Sequence, residues 1–514
     1  MVEQSIPPIL RPDNPNRVSL ADLAAELDCE IVFGTPETAL TGVSMNTGDL
    51  RPGDVFFAMP GLQTHGAKFT HQAIASGAVA IATDSAGMEI IGTPQLPTIL
   101  VENPRLRLGE AARFIYGNNS SDLPTFYGVT GTNGKTSTVH FLSAMIRQSG
   151  GVPGMSSSVE RHIGSDIIIS RLTSPEAPES HALIARMREN SVTEVAWEVS
   201  AQALRQHRVD GIFFDVVAFT NLSHDHFDEF DSYDQYLAAK LPLFNRSRAG
   251  KGVVCLDTDF GLQFLAGSEV DCITVTLRED VSSDWKVRVT KEDISGVYFD
   301  LSGPNGEVIS SSVPIIGDYM ASNAAVAILM MIQAGHDWKK LAADLKDGVD
   351  APIAGRGDNV SSGRGPNVYV DFGHTPDSIE MTIKAVRNVT AGKLVVVVGL
   401  DGDRDKLKRP MIGAICARLS DAMIVTDHNP RFEDPDIIRK MIFEGAIAER
   451  PDHDIRNLAG PERAIRIAVS MVKSGDTILW FGPGHQEHRD IKGVRTKYSG
   501  RAQARAALAE AGWQ

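Results

Sequence analysis

Cysteine is scarce in this sequence. Cys29, Cys255, Cys272 and Cys416 lie far apart and form no CxxC pair. That excludes a disulfide framework and a thiolate zinc site, and leaves four buried, reduced thiols as the expectation. Long apolar runs are missing as well. No stretch reaches the ~18 apolar residues that a membrane-spanning helix needs. The opening stretch, MVEQSIPPILRPDNPNR, has no apolar segment behind basic residues, so it does not read as a secretory leader and a cytoplasmic location is expected. Positive charge is in deficit: 50 Lys and Arg against 65 Asp and Glu give a net charge of -15. Such a surface repels a phosphate backbone, so nucleic acid is not an expected partner, and neither is a membrane. A small anionic ligand would need local cations and helix N-termini. Internal repeats, heptads and low-complexity tracts are absent.

What is present is an ordinary globular balance of 42% apolar and 22% charged residues over 514 residues, too many for one core. Three domains are expected: 1–121, 122–350 and 351–514. The first boundary falls in YGNNSSDLPTF, where Asn, Ser, Asp and Pro cluster. The second lies near GVDAPIAGRG. GDVFFAMPG, GAVAIATD and PTILVEN read as short strands of the first block. TFYGVTG, VTEVAWEVS, FDVVAFTNL and GVVCLD are strands of the second, alternating with helical stretches. NVYVDFG, KLVVVVGL, DAMIVTD and DTILWFG repeat the pattern in the third. The fold class is therefore α/β, with a central P-loop-type parallel-sheet domain and a smaller C-terminal Rossmann-like domain. DWKVRVTKED and GVYFDLSGPNGEVISSSVPI alternate apolar and polar residues and predict a small antiparallel excursion, turning at Asn305-Gly306.

The stretch FYGVTGTNGKTSTVHFL carries the chemistry. A strand ends at Gly128–Gly131, and a helix begins at Lys135, with Val139, Leu142 and Ile146 at helical spacing. A strand–turn–helix unit aims free backbone N–H groups at a ligand on the helix N-terminus. Gly131, Thr132, Asn133, Gly134, Lys135, Thr136 and Ser137 are thus expected to hold a chain of phosphates. Lys135 adds a positive charge, and the Thr136 hydroxyl is placed for Mg²⁺. The strict GxxxxGK[ST] pattern fails, because Val129 stands where its first Gly would be.

TGTNGKTST resembles the ATP loop of the Mur ligases, which add amino acids to the peptidoglycan precursor. Further segments follow in that family's order: WEVSAQALRQHRVDG, FTNLSHDHFDEF, YLAAKLPLF, GDYMASNAAVA, AGRGD and VDFGHTPDSIE. Each is weak alone. A single Glu198 is commonly a solvated or paired carboxylate, a single His226 a structural residue and a single Asn323 a helix cap. Together they imply catalytic roles for Lys135, Glu198, His226, Lys240 and His374. They also imply nucleotide contacts from Asn323, Arg356 and Asp371. Mg²⁺ would be held by Thr136, Glu198, His226 and Lys240, the last as a carbamate. The implied reaction activates a carboxylate as an acyl phosphate with ATP and couples it to an amine. Closure of the third domain would exclude water from that intermediate. The family resemblance also implies a monomer.

Within the family the chain is most similar to the type that adds the third residue, to UDP-N-acetylmuramoyl-L-alanyl-D-glutamate. RLTSPEAPE implies acceptor contacts from Thr173 and Ser174. Thr47, Ser200, Gln206 and Arg208 match other acceptor positions. GLDGDRDKLKRP and TDHNPRFEDP resemble the segments that contact the incoming amino acid in diaminopimelate-adding enzymes. They imply roles for Arg404, His428, Asn429 and Arg431, with Gly482 and Gln486 from GPGHQE. Departures gather at both substrate ends. Asn46, Thr47 and Gly48 replace D-S-R, and Ala201-Gln202 replace Ser-His. LDGD at Leu400–Asp403 differs from the usual G-x-G-G-D, His428 replaces Asp, Pro483 replaces Lys and Gln486 replaces Glu. Three readings stay open at this point: a cell-wall ligase, a Mur-like amide ligase serving another carboxylate or amino acid, and a non-catalytic Mur-like binding protein.

Overall fold

The structure is a computed structural model and describes residues 9–61, 63–170 and 172–513. Residues 1–8 of the opening stretch and Arg171 of RLTSPEAPE lie outside the described residues. Three large sheets follow one another along the chain. The first has five strands in the order Glu30–Phe33, Thr98–Leu100, Ala80–Thr83, Asp54–Ala58, Gly42–Ser44. All its neighbours are parallel except the edge strand Glu30–Phe33. Every residue of Asp54–Ala58 is buried, as a strand covered on both faces requires. The helix Pro104–Ile115 closes one face with Leu108, Ala111, Ala112 and Ile115. This core continues into Ala177, Ala182 and Ala185 of the helix Ala177–Glu189, which docks the first sheet onto the next unit.

The central sheet has eleven strands. Its middle is parallel: Pro153–Ser156, Glu194–Glu198, Thr125–Thr130, Phe214–Phe219, Ala249–Cys255 and Asp271–Thr276. The antiparallel excursion does not stand apart. Trp285–Asp293, Gly296–Ser302 and Val308–Val313 extend the same sheet at one edge, and the hairpin Glu160–Ile163/Asp166–Ile169 extends the other. The Asn-Gly turn is longer than the two-residue type. Of the pair only Gly306 takes a positive φ, +86°, and the loop is closed by the Gly303 N–H on the Glu307 carbonyl at 2.9 Å. The Glu307 carboxylate accepts from the Asn305 N–H at 2.8 Å and holds that residue in the loop.

The helix Lys135–Gln148 is buried from Thr136 to Ile146, because it lies between the sheet and the helix Asp318–Gln333. The third sheet has six strands: Asp358–Asn359, Asn367–Asp371, Thr477–Phe481, Leu394–Val398, Ala422–Val425 and Ile455–Asn457. Only its first pair is antiparallel.

One expectation needs correction. All four cysteines are free, but only Cys255 and Cys416 are buried; Cys29 and Cys272 are half-buried near strand ends. Among the described residues no helix is long and apolar enough to cross a membrane. The strands Glu194–Glu198, Thr125–Thr130 and Phe214–Phe219 are neighbours running the same way. Their C-terminal ends bring Glu198, the loop 131–134 and the segment 220–226 to one edge, where open α/β sheets bind ligands.

Candidate active site

The phosphate loop is shaped by two glycines. Gly131 has φ +146°, and a Cβ there would lie 1.9 Å from Thr220 Oγ1. Gly134, at φ +86°, starts the helix without any side-chain cap, so the first helical N–H groups stay available. Asn221 fastens the loop from the next strand: its carbonyl accepts from the Thr132 N–H at 2.8 Å, and its Oδ1 from the Asn133 N–H at 2.9 Å. Lys135 is folded onto its own loop, donating to the carbonyls of Gly131 at 3.0 Å and Thr132 at 2.9 Å. Burial lowers its pKa against the pull of Glu198 and Asp225. Lys240 donates to the same Gly131 carbonyl at 3.0 Å, with its Nζ 4.1 Å from the centre of the Tyr236 ring. Burial, then the neighbouring Lys135, pushes its pKa well below that of an ordinary amine.

Behind the loop the Thr136 hydroxyl lies 3.2 Å from both oxygens of Glu198 and 3.1 Å from Ser158 Oγ. The Ser158 N–H donates to Glu198 at 2.8 Å. A buried carboxylate beside two hydroxyls is a hard, all-oxygen set. It suits Mg²⁺, which binds one or two carboxylates and takes its other ligands from phosphates and water. Among the described residues no three His, Cys, Asp or Glu side chains are grouped to hold a metal by themselves. His226 sits at φ +58°, with its Nε2 3.5 Å from Asp225. Burial lowers its pKa to about 4, against the pull of Asp225 and with the help of Lys240 and Lys135.

Asp225 joins the central and third sheets. Its Oδ1 accepts from Lys408 Nζ at 3.1 Å, and its Oδ2 is 3.6 Å from His374 Nε2. Burial alone would raise its pKa, but His374 and Lys408 hold it well below the usual carboxylate range. Arg356 reaches across to the Thr136 hydroxyl at 3.2 Å while its guanidinium lies 4.9 Å over the Phe372 ring. Asp371 is buried beside the cavity and does not line it. Its two oxygens accept the N–H groups of Gly357 and Gly373, both at 2.6 Å, which pins the segment carrying Arg356 to the third sheet. Asn323 is no helix cap. It lies inside the helix Asp318–Gln333, buried against Gly134, where its Oδ1 would be 2.4 Å from any Cβ.

One cavity of about 400 Å³ connects these groups. Thr132 to Ser137, Glu198, His226, Arg356 and His374 line it from the phosphate side. Thr173, Ser200 and Arg208 line it towards the first sheet, and Arg404, His428, Arg431, Gly482 and Gln486 at the third. Ser174 is buried just behind, donating to the Glu198 carbonyl at 2.8 Å and accepting from the Ser200 N–H at 3.3 Å. Arg208 is shared between Glu176 at 2.8 Å and Gln206 Oε1 at 2.6 Å, so Gln206 positions that arginine and is not part of the wall. Thr47 is not brought to the cavity either. It opens the short turn Thr47–Asp49 on the first sheet, capped by Asn46.

Residues 39–116, 129–331 and 355–484 match, in that order, the Mur ligase family catalytic domain, the Mur ligase middle domain and the Mur ligase glutamate ligase domain. A Leifsonia xyli subsp. xyli protein described as UDP-N-acetylmuramyl-tripeptide synthetase is 44% identical over 509 residues, 99% of each chain. The chain belongs to the Mur ligase family. A Streptomyces coelicolor relative, UDP-N-acetylmuramoyl-L-alanyl-D-glutamate--2,6-diaminopimelate ligase, is 37% identical over 97% of this chain and 98% of its own. A solved structure of a ligase with that same description superposes with a TM-score of 0.67 at 23% identity, over 97% of this chain and 100% of the other, and shows the shared fold. This Mur ligase is an ATP-dependent acid–amino-acid ligase.

Sequence reasoning missed several residues of the Mur ligase cavity. Asp225 and Lys408 stand inside the quoted segments FTNLSHDHFDEF and GLDGDRDKLKRP, but only the fold shows that they pair. Ser158 belongs to no quoted segment, and its contact with Glu198 arises from neighbouring strands. Asp401 was visible only as a departure from a glycine.

Proposed function

We propose that this Mur ligase adds the third residue to UDP-N-acetylmuramoyl-L-alanyl-D-glutamate, as the names of its relatives describe for them, with the division near residues 121 and 350 separating acceptor, ATP and amino-acid domains. The observation that carries this is the single cavity, which places a phosphate loop, a buried carboxylate and third-sheet arginines around one space. The first sheet and Thr173, Ser174, Ser200 and Arg208 take the nucleotide-sugar end. The loop from Gly131 to Ser137 cradles the phosphates of ATP with its N–H groups, and Lys135 turns from its carbonyl acceptors to the phosphates when these enter. Thr136 and Glu198, with His226 and a carbamylated Lys240, would hold Mg²⁺, which neutralises phosphate charge when bound. The unprotonated amine is the form that reacts with carbon dioxide, and the burial that lowers the pKa of Lys240 favours that form and supports its carbamylation.

The acceptor carboxylate attacks the γ-phosphate, giving an acyl phosphate and ADP. The amine of the amino acid attacks the acyl carbon, and the tetrahedral intermediate collapses to an amide and phosphate. Arg356 and His374 come from the third domain, so the nucleotide site is complete only with that domain closed.

The test is phosphate release from ATP and Mg²⁺ with UDP-N-acetylmuramoyl-L-alanyl-D-glutamate and a panel of amino acids, with product masses. Amino-acid-dependent release with a product one amino-acid residue heavier is expected. Absence of release with every amino acid, from protein that binds ATP, would overturn the reading.

A further inference from the structure

The amino-acid end of the cavity holds a carboxylate that the diaminopimelate-type segment does not have. Asp401 stands where G-x-G-G-D carries glycine, while the acids of that pattern at positions 428 and 486 are here His428 and Gln486. The negative charge has moved. In the structure Asp401 Oδ2 accepts from the Arg431 guanidinium at 2.9 Å. Asp401 and Arg431 both line the cavity.

The other oxygen of Asp401 has no donor. Oδ1 is buried, without a hydrogen-bond partner, 3.4 Å from His428 Nε2. That nitrogen does not serve it. Asn429 Oδ1 accepts from the Asp490 N–H at 3.1 Å, which fixes its amide orientation and makes Nδ2 the donor end. Nδ2 lies 2.7 Å from Gln486 Oε1 and 3.2 Å from His428 Nε2, so this ring nitrogen is an acceptor. Burial keeps the imidazole neutral by lowering its pKa. A carboxylate oxygen that is buried and faces no donor, on a side chain that is itself part-exposed to the cavity, is costly unless a ligand supplies one.

Arg431 is meanwhile engaged by the protein itself. A second carboxylate on the incoming amino acid would find its place on Arg431 taken and would meet the charge of Asp401. Arg404, on the same wall, donates to the backbone carbonyl of Asp403 and leaves guanidinium N–H groups for the α-carboxylate.

We propose that Asp401 determines amino-acid specificity: paired with Arg431, it excludes an amino acid bearing a second carboxylate and receives the ammonium at the end of a basic side chain. The substrate class is an α-amino acid with a distal amine and no distal acid. This rests on the function proposed above.

The experiment measures kcat/KM for L-lysine, L-ornithine, L-2,4-diaminobutyrate, L-alanine and meso-diaminopimelate with the UDP-linked dipeptide acceptor, ATP and Mg²⁺. One of the three basic monocarboxylic acids is expected to exceed meso-diaminopimelate by about tenfold or more, and Asp401→Asn and Asp401→Gly to lower that ratio on the order of 10- to 100-fold. The change should fall on the amino-acid KM, with the KM values for ATP and acceptor unmoved. A wild-type preference for meso-diaminopimelate or alanine, or a ratio unchanged in folded variants, would overturn the assignment and leave the proposed function standing. The wild-type ranking decides the matter even where a variant fails to fold. No turnover with any amino acid would overturn the proposed function and this assignment with it.

Discussion

Lys135 and Lys240 share one acceptor, the carbonyl of Gly131, each at 3.0 Å. A buried amine, Lys240, and a half-buried one, Lys135, have converged on one oxygen at the mouth of the phosphate loop. Such an arrangement is poor for the empty protein and suited to one that receives a polyanion. Lys135→Met is expected to lower kcat/KM for ATP by about a thousandfold or more, given a phosphate-binding lysine's share of charge stabilisation. Lys240→Met is expected to lose activity while its thermal midpoint stays level or rises, since an apolar isostere replaces a desolvated amine. Thermal denaturation beside phosphate release checks both, and a fall of several degrees for Lys240→Met would show that the pair stabilises the fold.

Asp225 is the anion at the joint between the central and third sheets. With Lys408 also buried, Asp225→Ala leaves a cation unpaired and is expected to cost about 3–5 kcal/mol, read by urea denaturation. Lys408→Met should cost less, because His374 still faces Asp225. Both variants should slow turnover, as both loosen the contact that closes the third domain.

Gly131→Ala places a methyl group 1.9 Å from Thr220 Oγ1 at a φ of +146°. ATP affinity is expected to fall at least about tenfold through distortion of the loop. Thr220→Gly in the same chain removes the collision but not the backbone strain, so titration calorimetry with ATP should show partial recovery. Full recovery would mean that collision alone sets the need for glycine.

His181 gives the protein a pH-dependent term far from the catalytic groups. Its Nε2 lies 3.0 Å from the Asp210 carbonyl, and burial lowers its pKa from 6.5 to about 4. Between those values the unfolded chain binds a proton that the folded protein does not. The stability tied to neutral His181 is therefore whole above pH 6.5 and is lost as pH falls towards 4. From pH 7 to pH 5 this amounts to about 2 kcal/mol. Urea denaturation of His181→Gln at the two pH values should show a loss smaller than wild type by that amount.

The local code was legible wherever one short stretch carries both the cause and the effect. TFYGVTGTNGKTST shows a buried strand, a glycine turn and a helix start because the apolar run, the flexible residues and the helical spacing are adjacent in the chain. The three-sheet architecture was legible for the same reason. The hairpin turn at Asn305-Gly306 was legible as well, whereas its closing bond from Gly303 to Glu307 is set by the pairing of the two strands.

The sequence by itself determined the strands, the phosphate loop and the family, because local patterning and motif order need no knowledge of the fold. Tertiary structure alone decided which charges meet. It set Asp371 against two backbone amides, those of Gly357 and Gly373. It set Asp225 against Lys408 across 183 positions of chain, and Asp401 against Arg431 across 30. Coulomb energy and desolvation depend on distance and burial in space, and neither is written in the order of residues.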